Sequence, residues 1–173
     1  VVTPLYLPQD LSKFHELRAG QEVLLSGTIL TARDAAHLRL FRSLEASEDL
    51  PLDLRDTVIY YSGPSPAPPG KIFGSCGPTT ASRMDPFTPA LLRQGVRGTI
   101  GKGPRSADVL EAMGSHRAVY FYAFGGCGAL YARKVVAASV LAYADLGPEA
   151  IFSLEIHEFP LVVAADSLGS RIF

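Results

Sequence analysis

Three short stretches of this chain pair a cation with backbone suited to anions: Thr31-Ala32-Arg33-Asp34-Ala35-Ala36-His37, Gly77-Pro78-Thr79-Thr80-Ala81-Ser82-Arg83-Met84-Asp85 and Ile100-Gly101-Lys102-Gly103. Each sets arginine or lysine beside glycine, threonine or a predicted helix start, where backbone N–H groups are free to hold oxygen anions. A small diacid needs a cationic clamp at both ends, and Arg33, Arg83 and Lys102 lie on three separate predicted turns. The planar guanidinium fork meets a carboxylate with two parallel hydrogen bonds, and a lysine between glycines adds a point charge where backbone can approach a ligand closely.

Each stretch also has a plainer reading. Arg33 at a strand's end, Asp34 as helix N-cap and His37 in the first turn form a common ligand-binding arrangement of α/β folds, or else a cap beside a surface charge. In the second stretch Thr79 and Thr80 put adjacent hydroxyls after a Gly-Pro turn, with Arg83 four residues beyond Thr79 and facing the same way if the segment is helical. A threonine hydroxyl can bind a substrate oxygen or relay a proton; as a base it needs its pKa lowered by neighbouring cations or metal. The alternative is a threonine-capped turn with Arg83 in a surface ion pair. Gly101-Lys102-Gly103 is not a phosphate loop of the Walker type, since it lacks the first glycine and the following hydroxyl residue.

Gly125-Gly126-Cys127-Gly128 is too short for a dinucleotide fingerprint and reads as tight strand–helix packing, with the Tyr120–Phe124 aromatics in the core. Cys76, directly before the GPTT turn, is close to a metal, or redox-sensitive, or a small buried apolar group, the usual state of a lone thiol. His15, His116 and His157 have no companions at ligand spacing and are expected to be structural or exposed.

The elements that must position these groups follow from periodicity. At 173 residues, with 47% hydrophobic and 19% charged residues, the chain is expected to form one domain over 1–173 with its own core. A net charge of −1 offers no broad basic field for nucleic acid or an anionic membrane. The apolar runs are too short for a membrane span, and Val1-Val2-Thr3-Pro4 lacks the regions of a signal peptide. Starting at valine suggests a processed or trimmed chain. Two cysteines make no disulfide framework, fit a reducing cytoplasmic setting, and are too few to hold an iron–sulfur cluster.

Residues 1–20 read as a lead-in with a short helical turn, and Glu22 to Ala32 as a strand buried on both faces. A helix then carries Ala36, Leu40, Phe41 and Leu44 inward, and Val58–Tyr61 is a strand entering a stiff proline-rich arm over 63–70 that could close over a site. Helices are expected at 88–94, at 106–113 and from Gly128 through Ala138, with strands at 97–100 and 119–122. Residues 151–166 read as β-rich with a break at Pro160. This alternation predicts an α/β fold, a mixed central sheet flanked by helices.

Together the stretches 31–37, 77–85 and 100–103, with Val58-Ile59-Tyr60-Tyr61-Ser62-Gly63-Pro64, Gly125-Gly126, Leu146-Gly147-Pro148-Glu149-Ala150 and Phe159–Asp166, resemble the β component of class I iron–sulfur-dependent hydro-lyases. These are the fumarases and L(+)-tartrate dehydratases. The resemblance implies a swivelling β/β/α-type domain and half of an enzyme. A separate α subunit, or an N-terminal domain of one long chain, would hold a [4Fe–4S] cluster by three cysteines, in an assembly with two copies of each component. Carried over residue by residue, Arg33, Arg83 and Lys102 would bind substrate carboxylates together with Thr80. Thr79 would take the C3 proton; Asp34 and His37, in the loop of Arg33, would be catalytic, with His37 a proton donor or supporting partner. Cys76 and Cys127 depart from the family's usual residues. The activity implied is reversible hydration of fumarate to (S)-malate. The alternatives are the β subunit of an L(+)-tartrate dehydratase, or a non-catalytic module that binds a diacid or holds a partner.

Overall fold

A computed structural model describes residues 1–173. Its strands are β1 (Thr3–Tyr6), β2 (Glu22–Thr31), β3 (Val58–Tyr60), β4 (Gly98–Gly101), β5 (Val119–Tyr122), β6 (Val135–Ala142) and β7 (Ile151–Ala165). The helices are α1 (Asp34–Glu45), α2 (Thr88–Arg93), α3 (Ala107–Ser115) and α4 (Gly128–Lys134), with 3₁₀ segments at Leu11–Glu16, Ala81–Met84 and Ala144–Glu149. No helix is long and apolar enough to cross a membrane.

Strands β2, β3, β4 and β5 run parallel, and β7 lies antiparallel to both β5 and β2, closing a five-stranded barrel-like ring. β1 adds beside the first half of β2, and β6 beside the first half of β7. The mixed sheet with flanking helices is the α/β architecture that the alternation of elements predicts.

Side-chain alternation along each strand sorts the core into two clusters. On β3, Val58 and Tyr60 enter one cluster with Leu25, Ile29, Phe121 and Phe159. Ile59 and the adjoining Tyr61 enter the other, which the strands share with Ala36 and Leu40 of α1, Leu91 of α2 and Val109 of α3. β2 is buried on both faces as expected, with Val23, Leu25 and Ile29 on one side and Leu30 on the other.

Four local expectations change. The lead-in contains a short strand, β1, in which Leu5 alone is fully buried, too little periodicity to read. The helix expected to run through Ala138 stops at Lys134, and Val135–Ala142 is the edge strand β6. Six of the eight β6 residues are exposed, so burial leaves no alternating pattern in its sequence. β7 does not break at Pro160; its irregularity is at Glu158, which has a positive φ of 49° and whose N–H is taken by Ser26 Oγ where the register with β2 shifts. Finally, Tyr120 and Phe121 are core residues, but Phe124 is 41% exposed.

Candidate functional site

The carboxyl ends of the parallel strands β2, β3, β4 and β5 deliver residues 31–34, 61–63, 101–103 and 123–126 to one end of the ring, where α/β folds bind ligands. After the loop over 63–75, the chain returns and slots the GPTT segment between the diverging ends of β3 and β4. Tyr61 N–H still donates to Ile100 O at 2.8 Å, but one step further Thr79 N–H donates to Tyr61 O at 2.7 Å and Lys102 N–H to Thr79 O at 3.3 Å. Ala81 N–H closes the ladder on Lys102 O at 2.8 Å, and Thr80 bridges Lys102 in parallel sense. Gly101 is what allows this approach. A Cβ there would stand 2.8 Å from Tyr61 Cδ2 and 3.1 Å from Ala81 Cβ. Two of the three cationic stretches are thus one piece of hydrogen-bonded backbone.

The third stretch joins through side chains. Arg83 donates from Nε to Asp34 Oδ1 at 3.0 Å and from Nη2 to Asp34 Oδ2 at 2.7 Å, a two-pronged bond. Arg33 Nε lies 3.7 Å from Asp34 and 3.8 Å from Glu149, with no hydrogen bond of its own. The Arg33 side chain lies across Gly63, where a Cβ would meet its Cδ at 2.8 Å. Arg33 and Arg83 remain 30% and 49% exposed. Lys102 is half-buried and runs past Gly125, whose Cβ position is 3.5 Å from the lysine Cδ. Thr79 is buried and held by its backbone, leaving its hydroxyl outside both of those bonds, whereas Thr80 is exposed.

Asp34 does not cap α1 as expected. Arg33 occupies the N-cap position without a side-chain bond, and Asp34 is the first helical residue, turned to Arg83. The cap is supplied from afar by Glu149, which accepts from Ala35 N–H at 3.3 Å. His37 differs from a proton donor open to substrate. It is fully enclosed between Tyr61 and Phe87, and its Nδ1 lies 2.8 Å from the Arg33 carbonyl oxygen. Burial, which disfavours the charged ring, pushes its pKa down to about 4. A neutral imidazole donating Nδ1–H to that carbonyl fits both facts.

Cys76 is a closed core thiol. It is fully buried, Ser62 Oγ is 3.6 Å from its sulfur, and burial pushes its pKa up to about 11. No group of three or more His, Cys, Asp or Glu side chains could hold a metal ion. His15, His116 and His157 are exposed, as the absence of companions implies. The proline-rich arm is anchored at its root, where Ser65 N–H donates to Ser75 O and Ser75 N–H to Ser65 Oγ, and exposed over 66–72.

Two residues at this end of the ring escape sequence reasoning. Glu149 reaches the site from 114 residues beyond Ala35, a distance no spacing rule covers. Arg105 belongs to none of the motifs in the sequence, yet its side chain is 0% exposed and paired with Asp85.

The family described as Fumarase C-terminus matches residues 5–173. Fumarate hydratase 1, mitochondrial, of Leishmania major is 38% identical over 167 residues, 95% of this chain and 30% of that protein. Fumarate hydratase class I, anaerobic, of Escherichia coli K12 is 35% identical over 96% of this chain and 31% of its own length. The chain therefore spans about a third of these relatives. A Methanocaldococcus jannaschii protein named for the beta subunit of an L(+)-tartrate dehydratase is 37% identical over 164 residues, 91% of this chain and 84% of that one.

Proposed function

The chain belongs to the Fumarase C-terminus family, and we propose that it supplies the cationic, cluster-free wall of a hydro-lyase site that hydrates fumarate reversibly to (S)-malate. The observation that carries this reading is the linkage of Arg33, Arg83 and Lys102 at one end of the ring through Asp34 and the Thr80–Lys102 bridge. A [4Fe–4S] cluster does not fit the donors of this chain, since Cys76 is enclosed and no three ligating side chains gather. In this reading the cluster belongs to an α subunit, in an assembly with two copies of each component, and supplies a Lewis acid for the substrate hydroxyl.

The chemistry left to this wall is charge and proton handling. Removing a C3 proton beside a carboxylate builds negative charge on that carboxylate, and fixed cations stabilise it without reorganising. Arg83 gives Asp34 its Nε and Nη2 edge, which leaves N–H groups on Nη1 and Nη2 for a second carboxylate end-on. Arg33 Nε is unpaired but enclosed, so its terminal nitrogens are the ones left to meet a ligand, and Lys102 is joined to Thr80 through their backbone bridge. Thr79 is the candidate base, its backbone bonded to Tyr61 and Lys102, and positive charge near its hydroxyl would favour the deprotonated form. Asp34 and His37 act as positioning groups in this reading: Asp34 aims Arg83, and His37 fixes the Arg33 carbonyl.

The test is anaerobic reconstitution with a cluster-bearing partner followed by fumarate hydration kinetics. Turnover in the pair and not in either component alone is expected. An intact cluster in a pair that hydrates no diacid refutes the enzyme reading, and diacid binding by the lone chain would then favour a binding module. The relative of matching length is named for tartrate dehydratase, so L(+)-tartrate is assayed beside fumarate; faster tartrate turnover reassigns the substrate.

A further inference from the structure

Arg105 is the most enclosed charge in the molecule's site region. Its Nε donates to Asp85 Oδ1 at 2.7 Å, Nη1 to Thr99 Oγ1 at 3.0 Å and Nη2 to Thr88 Oγ1 at 2.7 Å. The guanidinium lies between two aromatic faces, 5.2 Å from the Tyr61 ring centroid and 5.0 Å from that of Tyr120. Its partners come from four different places: β4 (Thr99), β5 (Tyr120), the end of β3 (Tyr61), and the segment after Arg83 (Asp85 and Thr88).

Both clamp segments hang on this group by short tethers. Asp85 is two residues from Arg83, and its second oxygen accepts from Ser106 N–H at 2.8 Å. Lys102 is three residues before Arg105, across Gly103 and the stiff Pro104, and Tyr120 Oη donates to Gly103 O at 2.7 Å. An apolar side chain of similar volume could fill the slot without the cost of removing two charges from water, so the ion pair is a poor device for stability alone. What the fork adds is direction, because three of its nitrogens are each bound to a different side chain.

We propose that Arg105 is a positioning residue that sets the Lys102 turn against the Thr79–Arg83 segment. This rests on the reading of those residues as the diacid clamp. Arg105 touches no substrate; it acts through Lys102, whose distance from the Thr79–Arg83 segment it fixes.

The test is Arg105→Lys, which keeps the charge and loses the fork. Amide hydrogen exchange on the chain reports the brace without any activity. The amides of Ala81 and Lys102 should exchange at least tenfold faster than in wild type, while those of Ile29 and Leu154 in the ring stay unchanged. In the reconstituted enzyme kcat/KM should fall about 100-fold, the scale of a 1 Å misplacement. Added to Lys102→Ala, the same substitution should cost less than threefold more, because it acts through the lysine already lost. Unchanged exchange at Ala81 and Lys102, or losses that simply multiply, overturn the proposal. If Arg105→Lys does not fold, the pair Arg105→Met with Asp85→Leu removes both charges together, and wild-type exchange at those two amides in that variant overturns it equally. Full turnover by Lys102→Ala sinks the clamp reading instead, while the exchange measurement still decides the brace.

Discussion

Gly63→Ala moves Arg33 without removing its charge, and so separates the position of that cation from its presence. The glycine has no positive φ, so alanine fits the backbone there. Its new Cβ would stand 2.8 Å from Arg33 Cδ and 3.2 Å from Nη1. Carbon atoms prefer about 3.5–4.0 Å, so the arginine side chain must retreat by roughly 1 Å. The obstacle is the far part of a flexible side chain that is 30% exposed, and moving it costs folding less than about 1 kcal/mol. A 1 Å displacement of a substrate-orienting group costs on the order of 100-fold in rate, which is about 2.7 kcal/mol of transition-state stabilisation. The assay is kcat/KM for fumarate in the reconstituted enzyme, beside thermal unfolding of the chain. The expected pattern is a large kinetic loss with little change in Tm. A kcat/KM within threefold of wild type, in a preparation where Arg33→Ala is inactive, would show that the observed path of Arg33 across Gly63 is not the catalytic one.

Arg83→Ala should cost about 2–4 kcal/mol of transition-state stabilisation, yet less than about 1 kcal/mol of folding, because its pair with Asp34 is 49% and 36% exposed; near-normal turnover removes Arg83 from the clamp. His37 has a folded pKa of about 4, below its unfolded value near 6.5, so the unfolded chain binds the proton first. Its contribution is fully present above about pH 6.5 and declines by roughly 3 kcal/mol as pH falls through that window to about 4. Urea unfolding of His37→Asn should show a shallower fall over that range than wild type, and parallel slopes refute it. Iodoacetamide at pH 8 should label Cys127, which is partly exposed, and spare Cys76 until the chain unfolds; mass spectrometry showing early Cys76 labelling would mean that its enclosure opens in the native state.

What the sequence discloses here is local chemistry. Arg33, Thr79, Arg83 and Lys102 stand out because glycine, threonine and arginine at short spacing narrow the backbone shapes and functions available. The strands β2 to β5 are legible for a related reason: each is a compact apolar run bounded by glycine or a polar turn. The joins between them are not legible. Thr80 meets Lys102 only because the chain leaves β3, makes the loop over 63–75 and comes back to fill the gap beside β4. Asp34 has the residue type and place of an N-cap, but a two-pronged arginine outcompetes a single backbone N–H, and Glu149 takes over the capping. The β6 edge misleads for the opposite reason: exposed on nearly every residue, it carries no buried face to imprint an alternation, and the preceding helical residues extend the wrong period.

The arrangement of charge also explains why this end of the ring can exist without substrate. Asp34 binds Arg83 by one edge, and with Glu149 it lies 3.7–3.8 Å from Arg33 Nε, so the two arginines do not stand as unscreened like charges. Neither carboxylate saturates its partner. Arg83 keeps its terminal edge, and Arg33 Nε stands 3.7–3.8 Å from both acids, too far for a hydrogen bond. In the proposed enzyme a dicarboxylate would meet the terminal edge of Arg83 without breaking its bonds to Asp34. Recognition by pairing rather than by enclosure would suit a surface whose other half is contributed by a second protein component in the proposed enzyme.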